Sequence, residues 1–248
     1  MSAFFLAAVQ DIPWSRLSLA LIPVGVVLVV LNAWSIGVKT SLYAVGRMLA
    51  QLLALGFLLT FLFDADSSVL VLATVSVMLL VASWISLRVA VDRRSRFLGR
   101  VFLSIAVGGG LTLLIVTQGV LQLEPWYLPR KMIPLAGMIF SNCMNAISLA
   151  IERFVSEQSQ RKETRAARRT ALEASLIPIT NSLFAVGLVS IPGMMTGQVL
   201  AGADAHIAAK YQVMVMCMMF GSAGISTAMC LSLISRLPTE PLESQPTE

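Results

Sequence analysis

The 248 residues carry 57% hydrophobic side chains, only 12% charged ones, a net charge of +5 and a mean hydropathy of +0.82. A soluble domain of this size holds roughly twice that charged fraction. Composition therefore excludes a water-soluble enzyme, a disordered chain, a disulfide scaffold and a nucleic-acid module, and it describes an integral membrane protein.

A hydrocarbon core about 30 Å thick takes about 20 apolar residues of helix. In chain order, seven stretches meet that demand: 17–38, 42–63, 67–87, 101–123, 132–151, 174–191 and 211–235. The expected fold is an all-α, polytopic bundle of about seven transmembrane helices. It forms one transmembrane domain over 1–236, with a charged cytoplasmic loop at 152–173. The tail at 237–248, rich in Pro and Glu, reads as a disordered cytoplasmic end. The first ten residues hold no basic cluster, so the first span reads as an uncleaved anchor.

Orientation follows from Lys and Arg. With seven spans, 14 of the 18 basic residues fall on one side, including Arg88, Arg93, Arg94, Arg96 and Arg100 and the cluster from Arg153 to Arg169. The other side keeps Arg16, Arg130, Lys131 and Lys210. The positive-inside rule then places the N-terminus outside and the C-terminus in the cytoplasm.

Several polar positions stand out against this apolar background. Arg47 and Gln51 lie four apart on one helix face near the cytoplasmic start of the second span. Such a pair either snorkels to the interface or faces a polar route. Asn142 and Asn145 share a face in the fifth span, and Asn181 lies in the sixth. They read as interhelical hydrogen bonds, as lining of a transport pathway, or as both. Gly108-Gly109-Gly110 in the fourth span predicts close approach of another helix.

The sixth span carries Pro178 and breaks at Pro192-Gly193, at what the seven-span reading makes its outer mouth. Met194 and Met195 follow. Their thioethers are either packing groups or soft metal ligands. Cys143, Cys217 and Cys230 fall in apolar runs and read as reduced, buried and structural. His206 is the sole histidine, too few for a histidine metal site. No GxSxG, HExxH or GxxxxGK[ST] pattern occurs, so neither a known catalytic motif nor a phosphate loop for ATP is present. The stretch 152–173 has helix-forming composition, with Ala166, Ala167 and Ala171 among its charges. It reads as a topology anchor or as a docking element for a soluble cytoplasmic partner.

Residues 185–197 read Ala-Val-Gly-Leu-Val-Ser-Ile-Pro-Gly-Met-Met-Thr-Gly. This segment resembles the signature of the FetB-type permeases, a family that includes bacterial iron export permeases and plant aluminium-tolerance relatives. Gly46-Arg47, Gln51-Leu52 and Gly56 resemble its second span. Ile133-Pro134-Leu135-Ala136-Gly137-Met138-Ile139 and Asn142 resemble its fifth, and Ile177-Pro178 with Asn181-Ser182 the start of its sixth. Ala201-Gly202-Ala203 and Lys210-Tyr211-Gln212 continue the match, which covers about 40–235.

The resemblance implies the permease subunit of an ATP-binding-cassette (ABC) exporter in the inner membrane. Such a subunit dimerises and works with a separate cytoplasmic ATPase that binds the ATP. It implies iron as cargo for bacterial members, and a nucleotide sugar for plant ones. It makes Arg161, Arg165, Arg168 and Arg169 the ATPase-coupling residues. One departure concerns this element: here Arg161-Lys162-Glu163 runs almost directly into Arg165-Ala166-Ala167-Arg168-Arg169, where the family pattern is longer. A stand-alone carrier, a membrane scaffold without transport and an intramembrane enzyme are the rival readings. The first lacks intramembrane ionisable groups beyond Arg47, and the last lacks any nucleophile–base or metal constellation.

Overall fold

The computed structural model describes residues 12–64, 67–160 and 162–237, and these are helical with no strand among them. The chain divides into two units, 1–65 and 66–248. In the first, α1 (Trp14–Leu17) passes through a short 3₁₀ turn into α2 (Leu21–Ala33), giving an apolar rod of 20 residues. Ser35 turns the chain at φ 55, and α3 (Val38–Asp64) packs back on α2.

The second unit begins with α4 (Ser68–Ser86), capped where Ser67 Oγ accepts the Leu70 amide. Two 3₁₀ turns at Leu87–Val89 and Val91–Arg93 lead to α5 (Arg94–Leu114), which ends in a π-helical turn, Ile115–Val120. Then come α6 (Pro129–Ser159), α7 (Thr164–Ala185), α8 (Gly193–Leu200) and α9 (Ala205–Ile234). Pro129 at the first position of α6 needs no amide partner there. Asp204 caps α9 by accepting the His206 amide at 2.8 Å.

α5, α6 and α9 form the centre of this unit, with α4 laid on α6 and α7 on α6 and α9. The centre is built from small residues. A Cβ on Gly108 would lie 2.4 Å from Ser226 Oγ and 2.7 Å from the Ser226 amide, so α5 and α9 touch backbone to backbone. A Cβ on Gly109 would meet Ile139 and Phe140 of α6 at 3.2 Å, whereas one on Gly110 meets nothing. Ser104, Ser222, Ser226 and Thr227 are fully buried around this crossing. Membrane helices gain nothing from excluding lipid, so close approach of small residues is what holds them.

Five helices among the described residues are long and apolar enough to cross a membrane: Trp14–Ala33, Ser68–Val89, Val91–Val120, Pro129–Ser159 and Ala205–Ile234. α3 covers the expected second stretch. Two expectations need correction. The stretch 174–191 is not one helix, because α7 ends at Ala185. Val186 turns extended (φ −62, ψ 129) and Gly187 takes φ +83, which closes a tight turn with Gly187 N–H on Ser190 C=O. The carbonyl of Ala185 accepts the amides of Leu188, Val189 and Ser190, so the helical ladder stops there. Second, of the three cysteines, Cys143 and Cys230 are buried but Cys217 is exposed, on the outward face of α9 with Val213 and Phe220.

Candidate functional site

The charged segment expected as a loop at 152–173 is a helical hairpin. α6 runs on to Ser159 and α7 begins at Thr164, leaving a short link. α6 has 31 residues, about 47 Å at 1.5 Å each, so its end projects beyond the hydrocarbon. Ala150 and Phe154 of α6 pack with Ala167 and Ala171 of α7 and Leu231 of α9. The alanines explain the closeness, since Ala167, Ala171, Ser175 and Ile179 form one small, buried stripe along α7.

An ion-pair cluster closes the hairpin. The Glu157 carboxylate is 1% exposed and lies 2.6 Å from Arg153 and 2.5 Å from Lys162. Lys162 also donates its backbone N–H to the Glu157 carbonyl. Sequence reading did not single out Glu157. The Arg153–Glu157 spacing of four was the available signal, but Lys162 joins it only through the reversal of the chain.

The expected coupling arginines divide. Arg161 lies outside the described residues. Arg165, Arg168 and Arg169 line a groove of about 570 Å³ between α7 and the end of α9, together with Glu163, Leu172, Ala228, Leu231 and Ser232. Arg169 pairs with Glu173 at 2.9 Å, and Arg168 donates to Ser235 Oγ at 3.5 Å.

The expected pathway residues lie on α3, α6 and α7. Asn142 Nδ2 donates to the Met219 carbonyl at 2.5 Å and ties α6 to α9. Asn145, one turn on, is exposed and makes no hydrogen bond among the described residues, and the same holds for Asn181 on α7. Arg47 and Gln51 lie in the first unit, exposed and one turn apart on α3. Pro192 is the N-cap of α8, and Gly193, Met194 and Met195 are its first three residues. Both methionines are half-buried. No group of three or more His, Cys, Asp or Glu capable of holding a metal occurs among the described residues.

The break therefore sits earlier than Pro192. From Ala174 to Ala185 is 12 residues, about 18 Å of helix, short of the 30 Å that a span needs. Beyond Ile179 no residue of α7 is buried, and Phe184, Leu188, Val189 and Ile191 are 72–90% exposed. Gln198 on α8 and Gln212 on α9 hold buried side-chain carbonyl oxygens without hydrogen-bond partners among the described residues. Sequence reading named Gln212 only within the family match and did not single out Gln198.

Residues 14–237 match the model of an uncharacterised protein family, UPF0014. The chain is 34% identical to the probable iron export permease protein FetB of Escherichia coli K12, over 92% of each chain. It is 36% identical to the UPF0014 membrane protein slr1647 of Synechocystis, over 79% of this chain and 81% of that one. It is 30% identical to the protein ALUMINUM SENSITIVE 3 of Arabidopsis thaliana, over 75% and 72%. No solved structure matches. With its long apolar helices and these membrane-protein relatives, the chain is a multi-pass integral membrane protein of the UPF0014 family.

Proposed function

We propose that this protein is the permease subunit of an ABC-type exporter, with iron as its cargo and a separate cytoplasmic ATPase as its motor. The observation that carries the reading is the 34% identity with a relative named a probable iron export permease, over nearly the whole of both chains. Three features agree with it. No phosphate loop occurs in the sequence, so ATP must be bound by another chain. The α6–α7 hairpin is tied by its ion pairs and its alanine packing, as a lever that receives force from a partner needs to be. Its surface is basic, with Arg165, Arg168 and Arg169 beside the link at 160–163.

In this reading the chain crosses a plasma membrane seven times, N-terminus outside, and two copies form the pathway. The ATPase docks on the α6–α7 hairpin. The stretch 174–203 makes its crossing as a broken element, α7 then α8. Irregular backbone at membrane depth is tolerated only where protein or a water-filled cavity shelters it. The turn at 186–192 is accordingly placed next to the pathway, with Asn181, Met194 and Met195. Exposed Asn145 faces the second copy or the route, since an amide facing lipid has no partner.

The test is reconstitution. The chain, co-expressed with a candidate ATPase subunit, is purified and placed in liposomes loaded with iron. ATP-dependent iron efflux that vanishes when the phosphate-loop lysine of the ATPase is changed to Ala is the expected result. Efflux indifferent to ATP would favour a stand-alone carrier, and no iron movement with a stable ATPase complex would overturn the cargo.

A further inference from the structure

We propose that the groove between α7 and the end of α9 seats one anionic phospholipid, its phosphate on Arg165 and Arg168 and an acyl chain along Gly224 and Gly221. Three observations on the second unit carry this, none depends on the transport reading, and the proposal moves Arg165 and Arg168 from the ATPase-docking surface to a lipid.

The first is unspent charge. Of the three arginines in the groove, Arg169 is paired with Glu173. Among the described residues Arg165 makes no hydrogen bond or ion pair, and Arg168 has a long contact with the neutral Ser235 hydroxyl. Among the described residues Glu163 is the one carboxylate on the rim, so the guanidiniums there are in excess. A guanidinium offers a planar fork of donors that fits phosphate.

The second is depth. The floor of the groove includes Leu231, which packs with Ala150 and Phe154 of α6. At that level α6 changes from exposed Leu149 to exposed Glu152 and Arg153. The groove thus lies where hydrocarbon gives way to headgroups.

The third is a face of α9 with uncovered glycines. Gly221, Gly224, Ala228 and Leu231 follow one another at spacings of three and four, so they share a face of α9. A Cβ on Gly221 or Gly224 would meet nothing within 4 Å. From Leu231 to Gly221 is about 15 Å of helix, half the ~30 Å hydrocarbon thickness and therefore the depth of one leaflet. An acidic peptide would match the arginines but leave this apolar face without a use. A phospholipid matches both ends.

The experiment uses the purified full chain without any ATPase. Wild type in neutral detergent is titrated with phosphatidylglycerol, phosphatidylcholine or inorganic phosphate, following thermal unfolding and lipid retained by mass spectrometry. Phosphatidylglycerol is expected to be retained and to raise the unfolding midpoint, and the other two are not. The double variant Arg165→Gln/Arg168→Gln should retain about tenfold less, the loss expected when charge-assisted hydrogen bonds to phosphate are removed. Arg165→Lys/Arg168→Lys should recover part of it. Gly224→Leu should reduce retention with the charges intact. Equal retention of phosphatidylcholine, stabilisation by inorganic phosphate alone, or wild-type retention in the Arg→Gln variant would overturn the site. Binding that emerges only after deletion of 238–248, which holds Glu240, Glu243 and Glu248, would assign the groove to that tail and overturn it as well.

Discussion

Lys162 meets Glu157 across the link that reverses the chain between α6 and α7, Nζ to Oε2 at 2.5 Å. Arg153 reaches the other oxygen from one turn earlier on α6. The carboxylate is enclosed, while both cations remain about half exposed at 44% and 49%. The buried partner bears the desolvation cost and the exposed ones are screened, so the pair fixes geometry more than it adds stability. Its effect is to join the end of α6 to the residues just before α7.

Glu157→Gln keeps the shape and removes the charge. The ion pairs to Arg153 and Lys162 become weaker charge–dipole hydrogen bonds, and the loss is read as a lower thermal unfolding midpoint in detergent. Lys162→Ala should cost less, because Arg153 still faces the carboxylate. If Glu157→Gln unfolds with wild type, the cluster carries no stability, and a rigid hairpin must come from the alanine packing alone.

Gly108 and Gly110 are two residues apart and should respond oppositely to alanine. Gly108→Ala forces α5 off Ser226 and should cost about 1–3 kcal/mol, as overpacking does. Gly110→Ala meets open space and should leave stability unchanged or raise it by up to about 1 kcal/mol through helix propensity. Indistinguishable midpoints for the two would show that the α5–α9 crossing is looser than backbone contact.

The asparagines should separate by role. Asn142→Ala removes the α6–α9 hydrogen bond and should lower stability by about 0.6 kcal/mol, the average for such bonds in membranes. Asn145→Ala and Asn181→Ala remove no hydrogen bond and should unfold with wild type. Loss of transport in either of the last two, with unchanged stability, would place that residue on the route. Loss of stability instead would mean that it is buried against a second copy.

Reporter fusions test the orientation. Fusions after Arg96 and Arg169 should report cytoplasm, and a fusion after Asp204 should report the outside. A cytoplasmic signal after Asp204 would mean that α7 and α8 enter and leave on one side, and the seven-span reading would fall.

Met194→Leu/Met195→Leu keeps volume and apolarity while removing sulfur, at a cost under about 1.5 kcal/mol. Metal tolerance in cells should persist, because iron prefers harder ligands than thioethers. A stable, inserted double variant that loses tolerance would point to thioether coordination at the start of α8.

Hydropathy by itself determined that the chain is a helical membrane protein, because about 20 apolar residues in a row leave no other way to satisfy the backbone in lipid. Motif order was equally local, and the match from Gly46-Arg47 to Lys210-Tyr211-Gln212 carried the family. The close crossing was legible in part: three successive glycines announced it, yet only Gly108 and Gly109 are used, since Gly110 is rotated away from both neighbours. Asn142 and Asn145 looked equivalent at a spacing of three, but only Asn142 is in reach of the Met219 carbonyl on α9, 77 residues along the chain. The end of α7 was misplaced because Pro192 is the conspicuous breaker, whereas Gly187 adopts the left-handed turn five residues earlier. Glu157 with Lys162, and the groove lined by Arg165 and Arg168, depend on where the hairpin folds back and on which helix faces are left uncovered. Those are relations between distant segments, and only the tertiary structure decides them.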